Sequence, residues 1–485
     1  MKQPGKIRVL IATGAVAGAL MVASTPSATA APGQWTKLST FDAATNLPRM
    51  ENTIEPTAAR FGPNLSVVWS GQGAGGGNYY AALVDGAGNV TTPSHEILSN
   101  WSTLTGNPRL VDVGGQRFLG FSGLQSTTTG APYTSGAEYY ATSGDGNTFT
   151  LGAGSLSSTQ SAYAAYGNDI VSNAGTPVWV GNAGTTSGVS WHSGIAATDP
   201  APAGSDTHFG LSGCCAYSAA GARDEATGAV YSAFYSNSSG TSESGIQVGQ
   251  ILPTQGAFAQ APGSVTVNDY GTNSISPDQR IAMTGRAGGG VFVAYGMGYP
   301  TLTGIRVHEV VSGRNLDVLN LKGRIGRISL TSDPAGRVWL VYAQDNRIKA
   351  VHTNTAATQF GATGSWGAPS GTDTIWHTTA VGSSGGLDIV VSSNAGGKIN
   401  VWHTQALRTL SIKGAPDSTR RGHAVVFTVT DAGDPVAGVH VKFCGHTATT
   451  NASGRATLDA SGHGRKAATA KKTGYNPGST SISVR

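Results

Sequence analysis

Charge is scarce in this chain. Only 12% of its 485 residues are Asp, Glu, Lys or Arg, about half the ~25% usual for a soluble domain. Glycine is abundant at 70 residues, yet it follows no three-residue period, which excludes a collagen-like helix. Low charge with much glycine would suit a low-complexity chain, but recurrent Val, Ile, Trp and Tyr runs supply the material of a core and exclude that. Cysteine is nearly absent: Cys214 and Cys215 are adjacent, and Cys444 stands alone. With no Cys-x-x-Cys pair and no histidine cluster, no metal site is expected. Also missing are a Gly-x-Ser-x-Gly elbow, a Walker loop, and a second His at zinc-protease spacing from His308-Glu309. No cofactor is therefore expected. Beyond residue 22 no apolar run is long enough to span a bilayer.

What is present begins with a leader. Lys2, Lys6 and Arg8 precede an apolar stretch from Val9 to Val22, and Ser27-Ala28-Thr29-Ala30 ends in a small-x-small pattern. This is the layout of an export signal, so residues 1–30 are expected to be removed and the mature chain to be secreted and extracellular. An oxidising compartment favours disulfides. Either Cys214 and Cys215 bond to each other, or one of them joins Cys444 and leaves a free thiol. The scarce charge is unevenly placed. Residues 409–485 hold ten Lys and Arg against four Asp, a net of +6. The formal total is +5, of which the leader carries +3, which leaves residues 31–408 at about −4. A basic tail on a mildly acidic body suits adhesion to an anionic polymer such as a cell wall; a solvated basic surface without a partner is the alternative. Nucleic acid is not expected, because the larger region lacks a basic stripe.

The strongest internal signal is a repeated strand pair. A Gly-bearing turn followed by an apolar strand recurs at Phe61-GPNLSVVWS, Val113-GGQRFLGF, Asn173-AGTPVWV, Ala226-TGAVYSAFY, Ala287-GGGVFVAY, Pro334-AGRVWLVY and Ser384-GGLDIVV. The intervals are roughly 45–65 residues, the length that a four-stranded propeller blade needs. A second β-rich run follows most copies, as in Asn78-YYAALVD, Glu138-YYATS, Gly304-IRVHEV and Lys398-INVWHT. Gly115, Gly175, Gly228, Gly289, Gly336 and Gly386 are placed for the positive φ of a tight hairpin. The last copy runs out one strand short, and Gln34-WTKLSTF near the mature N-terminus is suited to supply it, since an open ring would leave unpaired edges. The expectation is an all-β chain with a seven-bladed β-propeller over 31–408; six blades with one irregular copy, or a two-sheet sandwich, are the alternatives. From Thr409 the texture changes to short alternating strands broken at Asp434-Pro435, Asn451-Ala452-Ser453-Gly454 and Gly474-Tyr475, as expected of a small β-sandwich over 409–485.

Two resemblances refine this. Thr142-SGDGNTF resembles the Asp-box of secreted bacterial sialidase-type propellers, in the form Ser143-x-Asp145-Gly146-x-Thr148-Phe149. The resemblance implies a structural turn whose aromatic packs into a blade. The run Asp431-AGDPVAGVHV, Thr449-TNASGRATL and Lys472-TGYNPGS resembles bacterial immunoglobulin-like and carboxypeptidase-regulatory-like domains, which implies an immunoglobulin-like spacer or adhesive module.

Propeller ligands sit at a mouth of the central channel, lined by the loops entering each innermost strand. Reading back from the glycine turns puts Arg49 and Glu51, Asn107 and Arg109, Asn168 and Asp169, Tyr217 beside Cys214 and Cys215, Asp278 and Arg280, Arg327, and His377 at these entries; the plain alternative is that the arginines pair with Glu51, Asp169 and Asp278 and fill a wet channel. Arginine suits carboxylate or phosphate because its planar fork offers paired donors. The expected function is extracellular binding of a glycan or cell-surface polymer at this mouth by a monomer. The sialidase resemblance implies an alternative, a glycoside hydrolase acting on an acidic glycan. There Arg49, Arg109 and Arg280 would hold the acid, Tyr217 would attack with help from Glu51, and Asp278 would be acid/base. The family's early Arg-Ile-Pro motif is absent, and Pro48-Arg49-Met50 stands in its region. A scaffold for protein–protein interaction is the third reading.

Overall fold

A computed structural model describes residues 32–42, 55–73, 76–101, 106–123, 138–157, 168–181, 188–196, 206–212, 216–236, 243–264, 281–298, 303–321 and 325–485. Among them all regular structure is β, and no helix is long and apolar enough to cross a membrane. Residues 1–30, the expected leader, lie outside the described residues.

Residues 36–406 form seven antiparallel sheets of four strands each. Six of these are simple meanders in chain order. Their first strands are Thr57–Phe61, Gly106–Val113, Asp169–Asn173, Ala216–Arg223, Ala282–Gly285 and Ile325–Ser332. The seventh sheet contributes Thr374–Ser383, Gly386–Ala395 and Lys398–Ala406, and its fourth strand is Thr36–Asp42 from the other end of the chain. Thr36 pairs with His403 and Asp42 with Lys398, antiparallel throughout. Gly33 N–H donates to the Gln405 carbonyl at 2.8 Å, and Thr404 Oγ1 donates to the Gln34 carbonyl at 2.8 Å.

The seven hairpins marked by glycine in the sequence are the turns between first and second strands. Gly115, Gly175, Gly228, Gly289 and Gly336 have φ between 77° and 97°, where a Cβ is disfavoured. The second strands are continuous apolar runs rather than alternating ones because both of their faces are covered. Val67, Val68 and Trp69 are fully buried, as are Val338, Leu340 and Val341. The apolar clusters are shared between neighbouring sheets. Tyr79 and Trp101 of the first sheet pack with Leu119, Phe121 and Tyr139 of the second. Leu65, Val67 and Trp69 of the first pack with Val390, Ile399 and Val401 of the seventh. Each first strand lies beside the first strand of the next sheet, and that of the seventh lies beside that of the first. Glycine makes some of these approaches. A Cβ on Gly285 would stand 1.9 Å from the Arg223 carbonyl oxygen, and one on Gly382 would stand 2.4 Å from that of Ser332.

Aspartates close several turns. In the Ser143–Phe149 turn, Asp145 Oδ1 accepts from the backbone N–H of Asn147 and of Thr148 at 2.8 Å, and Gly146 N–H donates to Ser143 Oγ at 2.8 Å. These backbone donors hold the Asp145 carboxyl down to about 2, and Phe149 packs into the cluster between the first two sheets. Asp224 caps its own turn through Ala226 N–H and reaches the next sheet, accepting from Gly290 N–H at 3.0 Å.

Residues 408–484 build three further sheets, two larger ones around a separate core that includes Val425, Phe427, Val441, Phe443 and Ile482, and a parallel pair of Arg408–Thr409 with Tyr475–Asn476. One sheet has Ser411–Ala415, Ala424–Asp431, Asp434–Pro435 and Arg455–Asp459; the other runs Ser418–Thr419, Gly478–Val484, Gly464–Lys471, His440–Phe443, His446–Thr449. This module meets the seven-sheet body at a buried ionic cluster. Asp431, 1% exposed, lies 3.1 Å from His352 Nε2, 3.5 Å from Arg408 Nη1 and 3.7 Å from Arg337 Nε. Arg337 also lies 3.7 Å from Asp333 and 3.8 Å from Asp434. Thr355 N–H donates to Asp434 at 2.8 Å, and Gln359 donates to the Ala432 carbonyl at 2.8 Å. Cys444 carries a free thiol that donates to the Ser461 carbonyl at 3.3 Å. Cys214 and Cys215, and with them the expected vicinal disulfide, lie outside the described residues.

Candidate functional site

All seven first strands line one cavity of about 830 Å³. Its wall follows from the strand sequences. Their middles are small or apolar, with Ala59, Val111, Val171, Met283, Leu330 and Val381, and charge stands at the two ends.

At the end where the first strands begin stand Glu55, Arg109 and Asp169. Arg109 Nε lies 2.7 Å from Asp169 Oδ1, with side chains 29% and 5% exposed. Asp169 is further held by backbone donors, Ile170 N–H to Oδ1 at 2.9 Å and Gly221 N–H to Oδ2 at 3.1 Å. The carboxylate thus links three adjacent first strands, by a hydrogen bond to Gly221 and by an ion pair at the Nε edge of Arg109 that lacks hydrogen-bond geometry. Among the described residues the Nη groups of Arg109 have no partner. Beside it, Leu110 N–H donates to Thr57 Oγ1 at 2.9 Å, linking the first two sheets at the same level.

At the other end stand Arg60, Asp112, Arg223 and Glu225. Arg60 makes a bidentate pair with Asp388, Nε to Oδ2 at 2.6 Å and Nη2 to Oδ1 at 2.8 Å. Asp388, 1% exposed, also accepts from His403 Nε2 at 2.9 Å. Burial alone would push the Asp388 carboxyl up, but the hydrogen bonds and charge of His403 and Arg60 outweigh it and hold it below the ordinary range. Arg223 donates to Asn173 at 3.2 Å and to Glu225 at 2.5 Å. This end is therefore closed by its own ion pairs, whereas the opposite end keeps donors unspent.

The residues singled out from the sequence are distributed as follows. Arg109 lines the cavity. His377 lies on the seventh first strand but is 1% exposed and stops short of the wall, which that strand reaches at Thr378. Tyr217 and Arg327 lie on first strands of the fourth and sixth sheets, with side chains outside the described set. Arg49, Glu51, Asp278 and Arg280 lie outside the described residues, as do Cys214 and Cys215. Sequence reasoning missed Glu55, Arg60 and Arg223. Arg60 and Arg223 carry a signal of their own, since each stands within a few residues before a turn glycine, at the exit rather than the entry of a first strand. Among the described residues no cluster of three or more His, Cys, Asp or Glu is placed to hold a metal ion. No protein-family model matches this chain, and no curated protein matches it.

Proposed function

We propose that the seven sheets are the blades of a seven-bladed β-propeller, that residues 409–485 are an immunoglobulin-like module, and that the chain is a secreted protein that binds a glycan or cell-surface polymer at the entry end of the channel. The cyclic contact of the first strands supports the propeller. The observation that carries the binding reading is Arg109: its Nε side is ion-paired with a buried carboxylate, while its Nη face is unpartnered among the described residues on the wall of an 830 Å³ cavity. A guanidinium ion-paired on one edge is pre-organised to offer its other edge to an anionic ligand.

The test is a glycan array probed with the mature chain and with Arg109→Gln. Signal on acidic glycans that falls at least about tenfold in the variant, a change of ~1.4 kcal/mol, with an unchanged circular dichroism spectrum, supports the reading. Release of sugar from the same glycans would favour the hydrolase instead. No signal from a folded preparation counts against both and leaves a protein partner as the better reading.

A further inference from the structure

The five-stranded sheet of the C-terminal module has one face in the core and one in solvent. Val441, Phe443, Ala468, Ala470, Ile482 and Val484 point inward. The alternate residues point outward, and apart from Ala467, opposite Ser481, they are bases and hydroxyls. Thr449 pairs across to His440, and His440 to Lys471. The next row is Thr447, Lys442, Thr469 and Ser479, and the last is Arg465, Ser483 and Ser418. Lys442, Lys471 and Arg465 are exposed. Arg465 Nε donates to Ser481 Oγ at 2.7 Å, so a hydroxyl and not a carboxylate positions it. None of these five strands contains Asp or Glu.

The module's four aspartates are placed elsewhere. Asp431 and Asp434 face Arg337 at the junction with the seven-sheet body. Asp459 ends a strand of the opposite sheet, and Asp417 stands in the turn before Ser418. This face therefore carries three cations, Lys442, Lys471 and Arg465, and no acid on its own five strands. Lys442 and His440 are separated by ~6.8 Å along one strand and Lys471 lies ~4.8 Å away on the next, so the bases form a patch rather than isolated points.

We propose that this outward face binds an acidic polysaccharide, a chain of uronic-acid sugars. Such a polymer carries both halves of the complementary chemistry: carboxylates for the ammonium and guanidinium groups, and ring hydroxyls for the Ser and Thr ladder between them. A flat sheet face has no pocket to enclose a small ion, and its binding energy comes from many weak contacts along an extended chain. The site is distinct from the channel and does not depend on a ligand there.

The experiment passes the full mature chain over immobilised polygalacturonate, dextran and polyphosphate. The expected result is retention on polygalacturonate, no retention on dextran, and release by 1 M salt, where the screening length is ~3 Å. Lys442→Gln/Lys471→Gln should weaken retention roughly tenfold, because two exposed charge pairs are lost. Lys413→Gln/Arg455→Gln, which removes the same charge from the opposite sheet, should leave it within about twofold. Equal loss in both double variants would reduce the effect to net charge and overturn the proposal. Stronger retention on polyphosphate would overturn the polysaccharide occupant. Loss in Arg109→Gln but not in Lys442→Gln/Lys471→Gln would move binding to the channel and overturn this site while sparing the other.

Discussion

Asp388 shows how one residue can bind two distant parts of the chain. It sits on the second strand of the seventh sheet, and its partner Arg60 comes from the first sheet. Removing one member of a buried pair costs about 3 kcal/mol, because the other charge stays buried and uncompensated. Asp388→Asn should therefore lower the thermal midpoint by several degrees. The pH dependence follows from the sign of the shift. A carboxyl held below its ordinary ~3.9 contributes stability that is complete above that value and is lost as pH falls through the lower folded-state value. Melting curves taken between about pH 6 and pH 3 should show the wild type losing more stability than Asp388→Asn, so that the two converge in acid. Parallel curves would mean that Asp388 is not the group responsible.

At the scale of the element, glycine decides how closely the first strands approach. Gly285→Ala would place its methyl 1.9 Å from the Arg223 carbonyl oxygen, and neither strand backbone can move without opening the ring. We expect a loss of about 3 kcal/mol. Gly326→Ala, on another first strand but with nothing within 4 Å, should be neutral within ~0.5 kcal/mol. Urea unfolding of the two variants makes the comparison. This contrast also explains what could be read in advance. The second strands announce themselves, because burial on both faces demands unbroken runs such as Arg337-VWLVY, and the turn before each needs glycine. The first strands do not. They mix Ala, Gly and Thr with charged residues at their ends, as close approach between neighbouring strands and a cavity wall require, and so show no clean periodicity. Arg109 was legible as an arginine at a strand entry. Asp169 was legible too, as an acid at the next strand entry and a candidate partner for the entry arginines. Which arginine it pairs with was not, because the two are 60 positions apart in sequence.

At the scale of the whole molecule, two cores are joined through a small polar junction. The C-terminal module has its own apolar core, so its orientation depends on Asp431 and on Arg337, Arg408 and His352 around it. Asp431→Ala would leave Arg337 and Arg408 crowded together and largely buried, at a cost of about 3 kcal/mol to the junction. Scanning calorimetry should then resolve a separate module transition below that of the body, and X-ray scattering should show a larger radius of gyration. An unchanged single transition would mean that the module is held by the hydrogen bonds of Asp434 and Gln359 instead. None of this was visible in the sequence, where Asp431 belongs to an ordinary turn and its partners lie on three separate segments.

The strand Thr36–Asp42 also sets a clock. Thr40 meets Asn400 across 360 residues, and at ~5–20 residues per second a ribosome needs roughly 20 to 70 s to make that stretch. Until then the first sheet waits with Leu65, Val67 and Trp69 uncovered, and the earliest strand of the chain has nothing to pair with. Six sheets can be complete while the ring is still open, with one bare apolar sheet face at each end of the arc. The last few dozen residues of the body cover both faces at once. The chain thus passes from its most aggregation-prone state to its closed one in a single late step.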